Sequence, residues 1–455
     1  MKKILKLVFI IVFVVVCVIP VFTMPFFAEE ESAEKRELSE KPVLYSQEDG
    51  FNMNYTSQLN TYLTEHFSFR SDLVTLWSVI QAKVFSSSTQ ENVIVGKDDW
   101  LYFADTLNDY TGKSVFTQKE VSSIVKTLDL INETVEKNGG KLVFSVAPNK
   151  NTVYPEYMPY YYIEADTPTN YELLGSALKD KSYYLDVLPA LQQSEEITYH
   201  KRDSHWNNLG AQIYFTAVMN HLGIECTDYS KITTSKEYSW RGDLDDMIFP
   251  KLNYLDEQII YNKSFDFDYT SSFHSNDDIN IKTFNQNGTG NLMMYRDSFT
   301  NALLPFFSDQ FQKAEYTRVQ PFRFNTLTLK KSDTFIIEMA ERNLPELLKS
   351  APIMEAPKRA DSQGMTVSDL SFTSREYLNY THIYGETGDE ISDIFIKVTQ
   401  NNEVQYFEAF PIYEKELIEG ESVASEIKKY GFSAYLPADI SQNAEIKILT
   451  NGELK

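Results

Sequence analysis

The sequence predicts an α/β protein: a parallel sheet flanked by helices, preceded by one transmembrane helix and followed by a small β domain. Three observations lead there. An uncharged run over residues 7–27 opens the chain, and short runs apolar on both faces alternate with helical stretches through its middle. Beyond residue 360 the apolar residues fall into short strand-like groups. A run of that length can span a bilayer, two-sided apolar strands between helices suit a buried parallel sheet, and short alternating groups suit β structure.

The bulk numbers bound the function. A chain of 455 residues is expected to hold two or three domains, and 42% hydrophobic with 14% aromatic residues is the composition of a folded protein. A formal charge of -23 excludes nucleic acid as a partner, because phosphate polymers need a basic surface. It also disfavours a strongly anionic glycan unless the site carries a local basic patch. Two cysteines, Cys17 and Cys226, provide neither a disulfide framework nor a metal cluster. Cys17 falls inside the apolar N-terminal run, and Cys226 reads as an ordinary half-buried thiol.

Lys2, Lys3 and Lys6 precede the apolar run and Glu29-Glu30-Glu31 follows it. The positive-inside rule then leaves the lysines in the cytoplasm and the remaining chain outside. A cleaved signal peptide is the competing reading. The run is long for one, and Pro25-Phe26-Phe27-Ala28 is a poor cleavage site, so an uncleaved single-span anchor is expected over 1–28. Residues 29–53 read as a polar tether.

Next come two helices over 54–85, hinged near Phe67-Ser68-Phe69-Arg70-Ser71. Leu59, Tyr62, Leu63 and His66 share one face, and Leu73, Leu76, Trp77 and Ile80 another. Val93-Ile94-Val95 and Leu101-Tyr102-Phe103 flank a turn at Gly96 to Asp99, which predicts a hairpin. Thr117 and Glu120 form a capping box for a helix that carries Val121, Ile124, Leu128 and Ile131 and stops at Gly139-Gly140. Buried strands are expected at Leu142 to Val146, Tyr183 to Leu185, Leu292 to Tyr295 and Phe335 to Ile337. Polar residues follow each: Asn149-Lys150, Asp186, Arg296 to Ser298, and Glu338. In open α/β sheets the ligand crevice lies beyond the carboxyl ends of the strands, which groups these residues.

Two segments carry chemistry. In Arg202-Asp203-Ser204-His205-Trp206, extended backbone turns Asp203 and His205 to the same side, so the carboxylate can fix the imidazole tautomer and leave the other nitrogen as a base. Asn207 or Asn208 then caps a helix with Ile213, Tyr214, Ala217 and Val218 on its apolar face. In Tyr295-Arg296-Asp297-Ser298-Phe299, a serine follows an apolar strand and precedes a helix-compatible run, the setting of a nucleophile elbow. Trp206 is expected to pack beside the base, Tyr295 to join the core, Asp297 to support the turn, and Glu338 with Arg342 to form a structural ion pair.

Asp203-Ser204-His205-Trp206 with Gly210-Ala211, followed by Tyr295-x-Asp297-Ser298-Phe299, resembles the AlgX/AlgJ alginate O-acetyltransferase group and the related DHHW proteins. Ala147-Pro148-Asn149-Lys150, Tyr154-Pro155-Glu156, Phe67-Ser68-Phe69-Arg70, Gly96 to Tyr102, Gly242-Asp243-Leu244 and Glu338-x-x-Glu341-Arg342 add to the likeness, in order over about 54–345. The resemblance implies an SGNH-hydrolase-like fold with Ser298 as nucleophile, His205 as base and Asp203 as orienting carboxylate. It implies a membrane-bound O-acyltransferase as acetyl donor. Arg296 stands where the related motif has Gly, and Ser204 where it has His.

The resulting expectation is an extracytoplasmic, membrane-anchored O-acetyltransferase that acts on a polysaccharide hydroxyl. An esterase with the same three residues and a non-catalytic polysaccharide-binding protein stand beside it. Lys150, Arg296 and Asn149 are the expected substrate contacts, and no metal or cofactor is expected. The division is 1–28 anchor, 29–53 tether, 54–355 SGNH-hydrolase-like domain and 356–455 β-rich domain.

Overall fold

The computed structural model describes residues 2–27, 38–46, 50–324, 332–387, 393–417, 426–440 and 444–451. Of the expected tether, 29–53, residues 29–37 and 47–49 fall outside them. Helix α1, Lys2–Phe27, includes Lys3–Met24, long and apolar enough to cross a membrane by length and composition. Helices α2, Tyr55–His66, and α3, Arg70–Phe85, hinge where expected. The hairpin of Val93–Val95 and Leu101–Phe103 turns through Asp98 and Asp99, both at positive φ. Helix α4, Gln118–Lys137, starts at the Thr117/Glu120 capping box.

A seven-stranded sheet forms the centre. Its strands are β1, Lys141–Ala147; β2, Tyr184–Leu185; β3, Asp268–Tyr269; β4, Asn280–Phe284; β5, Asn291–Tyr295; β6, Lys313–Thr317; and β7, Thr334–Ala340. They lie in the order β2-β1-β7-β5-β6-β4-β3. The five from β2 to β6 run parallel, four of them at the expected runs and β6 in addition, and β4 and β3 add to one edge antiparallel. The sheet is therefore mixed. The reason is local: only residues 285–290 join β4 to β5, too few for the crossover that parallel strands require.

Both faces of the parallel strands are buried. Phe144, Met293, Phe335 and Ile337 face α4, whose Ile124, Leu128 and Ile131 pack on them. Val143, Leu292, Met294 and Ile336 face helices α5, Asn208–Leu222, and α6, Thr300–Gln310, through Phe215, Val218 and Leu303. This two-sided burial is why the strands read as unbroken apolar runs.

The C-terminal β-rich region consists of a five-stranded and a four-stranded antiparallel sheet, packed around Ile383, Ile396, Phe407 and Phe432. Its Phe410, Tyr413 and Tyr435 join the same core as α4, and Arg359 reaches Glu133 of α4.

The shared face of Leu73, Leu76, Trp77 and Ile80 turns outward: in α3 the buried residues are Ser71, Thr75, Ser78 and Ala82. Leu73, Leu76, Trp77 and Ile80 are exposed.

Candidate active site

The site lies at the carboxyl ends of the parallel strands. Strand β5 ends at Tyr295, whose hydroxyl donates to the Arg323 carbonyl within the core. Arg296 N–H still donates to the Thr317 carbonyl of β6, so the backbone leaves the sheet one residue later. Neither Arg296 nor Ser298 has a positive φ, which explains why no glycine is required at 296. Asp297 shapes the turn. One carboxylate oxygen accepts from Phe299 N–H at 2.9 Å, and the other from Ala340 N–H at 2.6 Å and the Asn343 amide at 2.9 Å. The serine loop is thereby tied to the end of β7, and only Phe299 stands between Ser298 and the start of α6.

The histidine arrives from the start of α5. The Asn207 side chain accepts from the N–H groups of Leu209 and Gly210, which fixes the helix start. Trp206 is buried beside it and donates to the Phe299 carbonyl at 3.0 Å, joining the histidine and serine segments. His205 packs edge-on against Phe299 with ring centroids 4.9 Å apart.

These elements bring three of the expected residues together. His205 Nε2 lies 2.7 Å from Ser298 Oγ, and His205 Nδ1 lies 2.7 Å from Asp203 Oδ1. The other Asp203 oxygen accepts from Trp240 Nε1 at 2.9 Å and Asp243 N–H at 3.1 Å. Gly242 permits that approach: a Cβ there would meet the Arg202 carbonyl oxygen at 2.1 Å. Asp243 in turn accepts from Ser204 N–H at 2.8 Å and Ser204 Oγ at 2.6 Å. Ser204, which departs from the family motif, thus braces the loop.

Electrostatics follow from this packing. Burial pushes the Asp203 carboxyl up, but the His205 hydrogen bond and the charges of His205 and His200 outweigh it and hold the group well below the usual carboxylate range. For His205, burial disfavours the cation; Asp203, by hydrogen bond and charge, and Asp243 prevail, so its value is raised. Burial and the neighbouring Asp203 charge raise Asp243. Asp203, His205 and Asp243 also place ligand-type atoms within 4.8 Å of one another. The hydrogen bonds just described already engage their oxygens.

The three expected substrate contacts are buried instead. Lys150 Nζ donates to the main-chain carbonyls of His200, Lys201 and Asp203 at 3.1, 2.9 and 2.5 Å. Its ammonium therefore holds the histidine loop from beneath rather than reaching a glycan. Arg296 donates to the Asn276 and Asp278 carbonyls at 2.8 and 2.9 Å and to Asn301 Oδ1 at 2.8 Å. Asn149 is buried, and its N–H donates to Glu341 at 2.7 Å. The expected Glu338–Arg342 pair is absent among the described residues. Glu338 lies within β7 and accepts from Thr300 Oγ1 at 2.6 Å. The Arg342 guanidinium instead stacks 5.3 Å from Phe299 and 5.5 Å from Phe103.

Trp240 and Asp243 were not singled out as site residues from the sequence. Gly242-Asp243-Leu244 did stand out as a motif, but nothing in the sequence around Trp240 marked it.

Residues 93–248 match the family of the SGNH hydrolase-like domain, acetyltransferase AlgX. The matched segment holds Asp203, His205 and Asp243 and stops short of Ser298. The AlgX/AlgJ resemblance read from the motifs is borne out, and the α/β layer is SGNH-hydrolase-like. The chain is 25% identical over 167 residues to a Pseudomonas syringae pv. tomato protein named "Probable alginate O-acetylase AlgJ". That likeness covers 36% of this chain and 41% of that relative's length. The O-acetyltransferase domain of Pseudomonas putida AlgJ is similar at 17% identity with a TM-score of 0.37, over 56% of this chain and 92% of that one. A DHHW family protein from Eubacterium siraeum is similar at 17% identity with a TM-score of 0.39, over 51% and 87%.

Proposed function

We propose that this chain is an O-acetyltransferase that moves an acetyl group to a hydroxyl of a cell-surface or secreted polysaccharide through an acyl-enzyme on Ser298. The observation that carries the reading is the unbroken relay from Ser298 Oγ through His205 to Asp203, with both links at 2.7 Å. Nucleophile, base and orienting carboxylate within hydrogen-bond reach are what acyl transfer requires.

The steps balance as follows. Asp203 holds His205 with a proton on Nδ1, so Nε2 takes the Ser298 proton as Oγ bonds to the acetyl carbon. His205 then protonates the departing group of the donor. A sugar hydroxyl next gives its proton to Nε2 as its oxygen attacks the acyl-enzyme, and Ser298 leaves with that proton restored. Ser298 N–H, without an acceptor among the described residues, is the donor available to the oxyanion. The acetyl source would be a membrane-bound O-acyltransferase, as in the resemblance to AlgJ. α1 would anchor the chain with the site outside, over the proposed division 1–28, 29–53, 54–355 and 356–455.

The test uses the full chain in detergent with a chromogenic acetyl ester. Ser298→Ala is expected to reduce release by about 10⁴-fold or more. Equal rates for wild type and variant would leave only a polysaccharide-binding role. Adding oligosaccharide and weighing the products separates a transferase, which yields acetylated sugar, from an esterase, which yields only acetate.

A further inference from the structure

Helix α3 is built inside out. Toward the protein it presents Ser71, Thr75, Ser78 and Ala82, one face at a spacing of four, three and four residues. Outward, together with Phe69 at its start, it presents Leu73, Leu76, Trp77, Ile80 and Val84, with Leu76, Trp77 and Val84 exposed by 57%, 54% and 69%. A continuous apolar stripe of this size marks a surface that meets something other than water. The small inward residues let α3 approach the protein closely, so its large side chains have no interior to occupy.

The stripe begins against α1. Phe69 stacks on Phe27, the last residue of α1, with ring centroids 6.1 Å apart, and Ser68 N–H donates to the Pro20 carbonyl at 3.3 Å. The stripe therefore continues from the outer end of the apolar helix. We infer that α3 is a second membrane contact, lying with its apolar stripe in the outer lipid interface beside α1. This inference rests on the anchoring reading proposed above. An amphipathic helix with tryptophan on its apolar face is suited to the boundary between headgroups and acyl chains.

The opposite face of α3 leads to the site. Thr75 Oγ1 accepts from Lys251 N–H at 3.1 Å, and Ala82 packs with Leu244, Ile248 and Phe249. That segment begins at Asp243, the partner of Ser204. A helix seated in lipid would thus set the angle at which Ser298 and His205 face the membrane and an acetyl donor within it.

Spin labelling tests this on the full chain in vesicles of phosphatidylethanolamine and phosphatidylglycerol. Nitroxides are placed at Val14→Cys, Trp77→Cys or Ile80→Cys, each with Cys17→Ser and Cys226→Ser. Positions 77 and 80 are expected to lose accessibility to a water-soluble nickel complex and gain it to oxygen, as Val14 does. If 77 and 80 stay open to nickel while Val14 reports lipid, the stripe does not meet the bilayer, and the anchor reading survives alone. Protection of 77 and 80 from both reagents would mean a protein covers the stripe and would overturn the lipid assignment. Nickel access at Val14 would remove the anchor itself and the inference with it.

Discussion

Lys150 holds Asp203 by its main chain: the ammonium lies 2.5 Å from the Asp203 carbonyl oxygen, beneath the residue whose side chain orients His205. One lysine from the end of β1 therefore clamps the histidine loop through three carbonyls. Burial pulls its value down to about 8 against the charges of Asp203, Asp243 and Asp256. The site keeps a buried cation for shape.

Lys150→Met should consequently damage the rate more than substrate binding. The buried carbonyls of His200 and Asp203 would lose their donor, each worth about 1–3 kcal/mol, while that of Lys201 keeps the Leu101 N–H. Removing a cation whose value is depressed to about 8 returns part of that, about 3 kcal/mol. The net expectation is a chain a few kcal/mol less stable at neutral pH, with kcat reduced and KM little changed. The unfolded chain keeps the lysine proton up to about 10.5, so between pH 8 and 10.5 it binds more protons than the folded one. Wild-type stability should rise relative to Lys150→Met across that window. Chemical denaturation at several pH values, beside steady-state kinetics, checks both; an unchanged kcat would refute the clamp.

The raised value of His205 predicts where activity falls in acid. The base works when neutral, so the rate declines as pH drops through its value, which should lie above the ordinary 6.5. Asp203→Asn removes the hydrogen bond and charge that raise it and leaves burial to dominate. The acid limb should move to lower pH while the rate at its plateau drops by about 10⁴-fold. A kcat/KM profile for both proteins decides. An acid limb that stays in place would separate Asp203 from the titration.

Trp240 acts on Asp203 through the oxygen that His205 Nδ1 does not engage, at 2.9 Å, while its ring stacks on His200 with centroids 4.9 Å apart. Trp240→Phe keeps an aromatic ring there and removes one donor to a charged acceptor, about 1.5–3 kcal/mol. The Asp243 N–H remains on the same oxygen. A kcat lower by about tenfold and a melting temperature a few degrees lower, with KM close to wild type, is the expected pattern. A shift in KM alone would mean that Trp240 meets substrate instead.

Much of this was visible in the chain before folding. Residues 142–146 and 335–337 announced a buried sheet because both faces of their strands are covered, and Asn207 announced a helix because capping is local chemistry. Asp203 and His205 do share one side, but through bends at 203–205 in which His205 N–H donates to Asp203 Oδ1 at 2.8 Å, not through the extended backbone expected. What escaped depended on distant segments. β4 runs against the parallel strands because of a short link to β5, and Trp240 reaches Asp203 across 37 residues of sequence. Lys150 and Arg296 misled because a cation near a nucleophile reads as a substrate contact, while burial beneath the loop leaves no trace in the local sequence. The outward turn of α3 was not legible for a sharper reason: periodicity shows that a helix has an apolar face, never what that face meets.

Arg296 carries the last prediction. The expected role was to bind substrate, yet its guanidinium ties the segment at 276–278 to Asn301 at the start of α6. Burial and the nearby Arg318 bring its value down to about 10, still charged at neutral pH. Arg296→Met would leave the Asn276 and Asp278 carbonyls without these donors and loosen the loop beside Ser298, at a cost of about 2–4 kcal/mol. Arg296→Gly, the residue that the related motif carries there, deletes the same bonds and adds backbone freedom, so it should be no more stable than Arg296→Met. Both should melt well below wild type and retain a KM for small acetyl esters near the wild-type value. Thermal unfolding and ester kinetics on the pair give the answer: a large rise in KM with wild-type stability would return Arg296 to the role of substrate ligand.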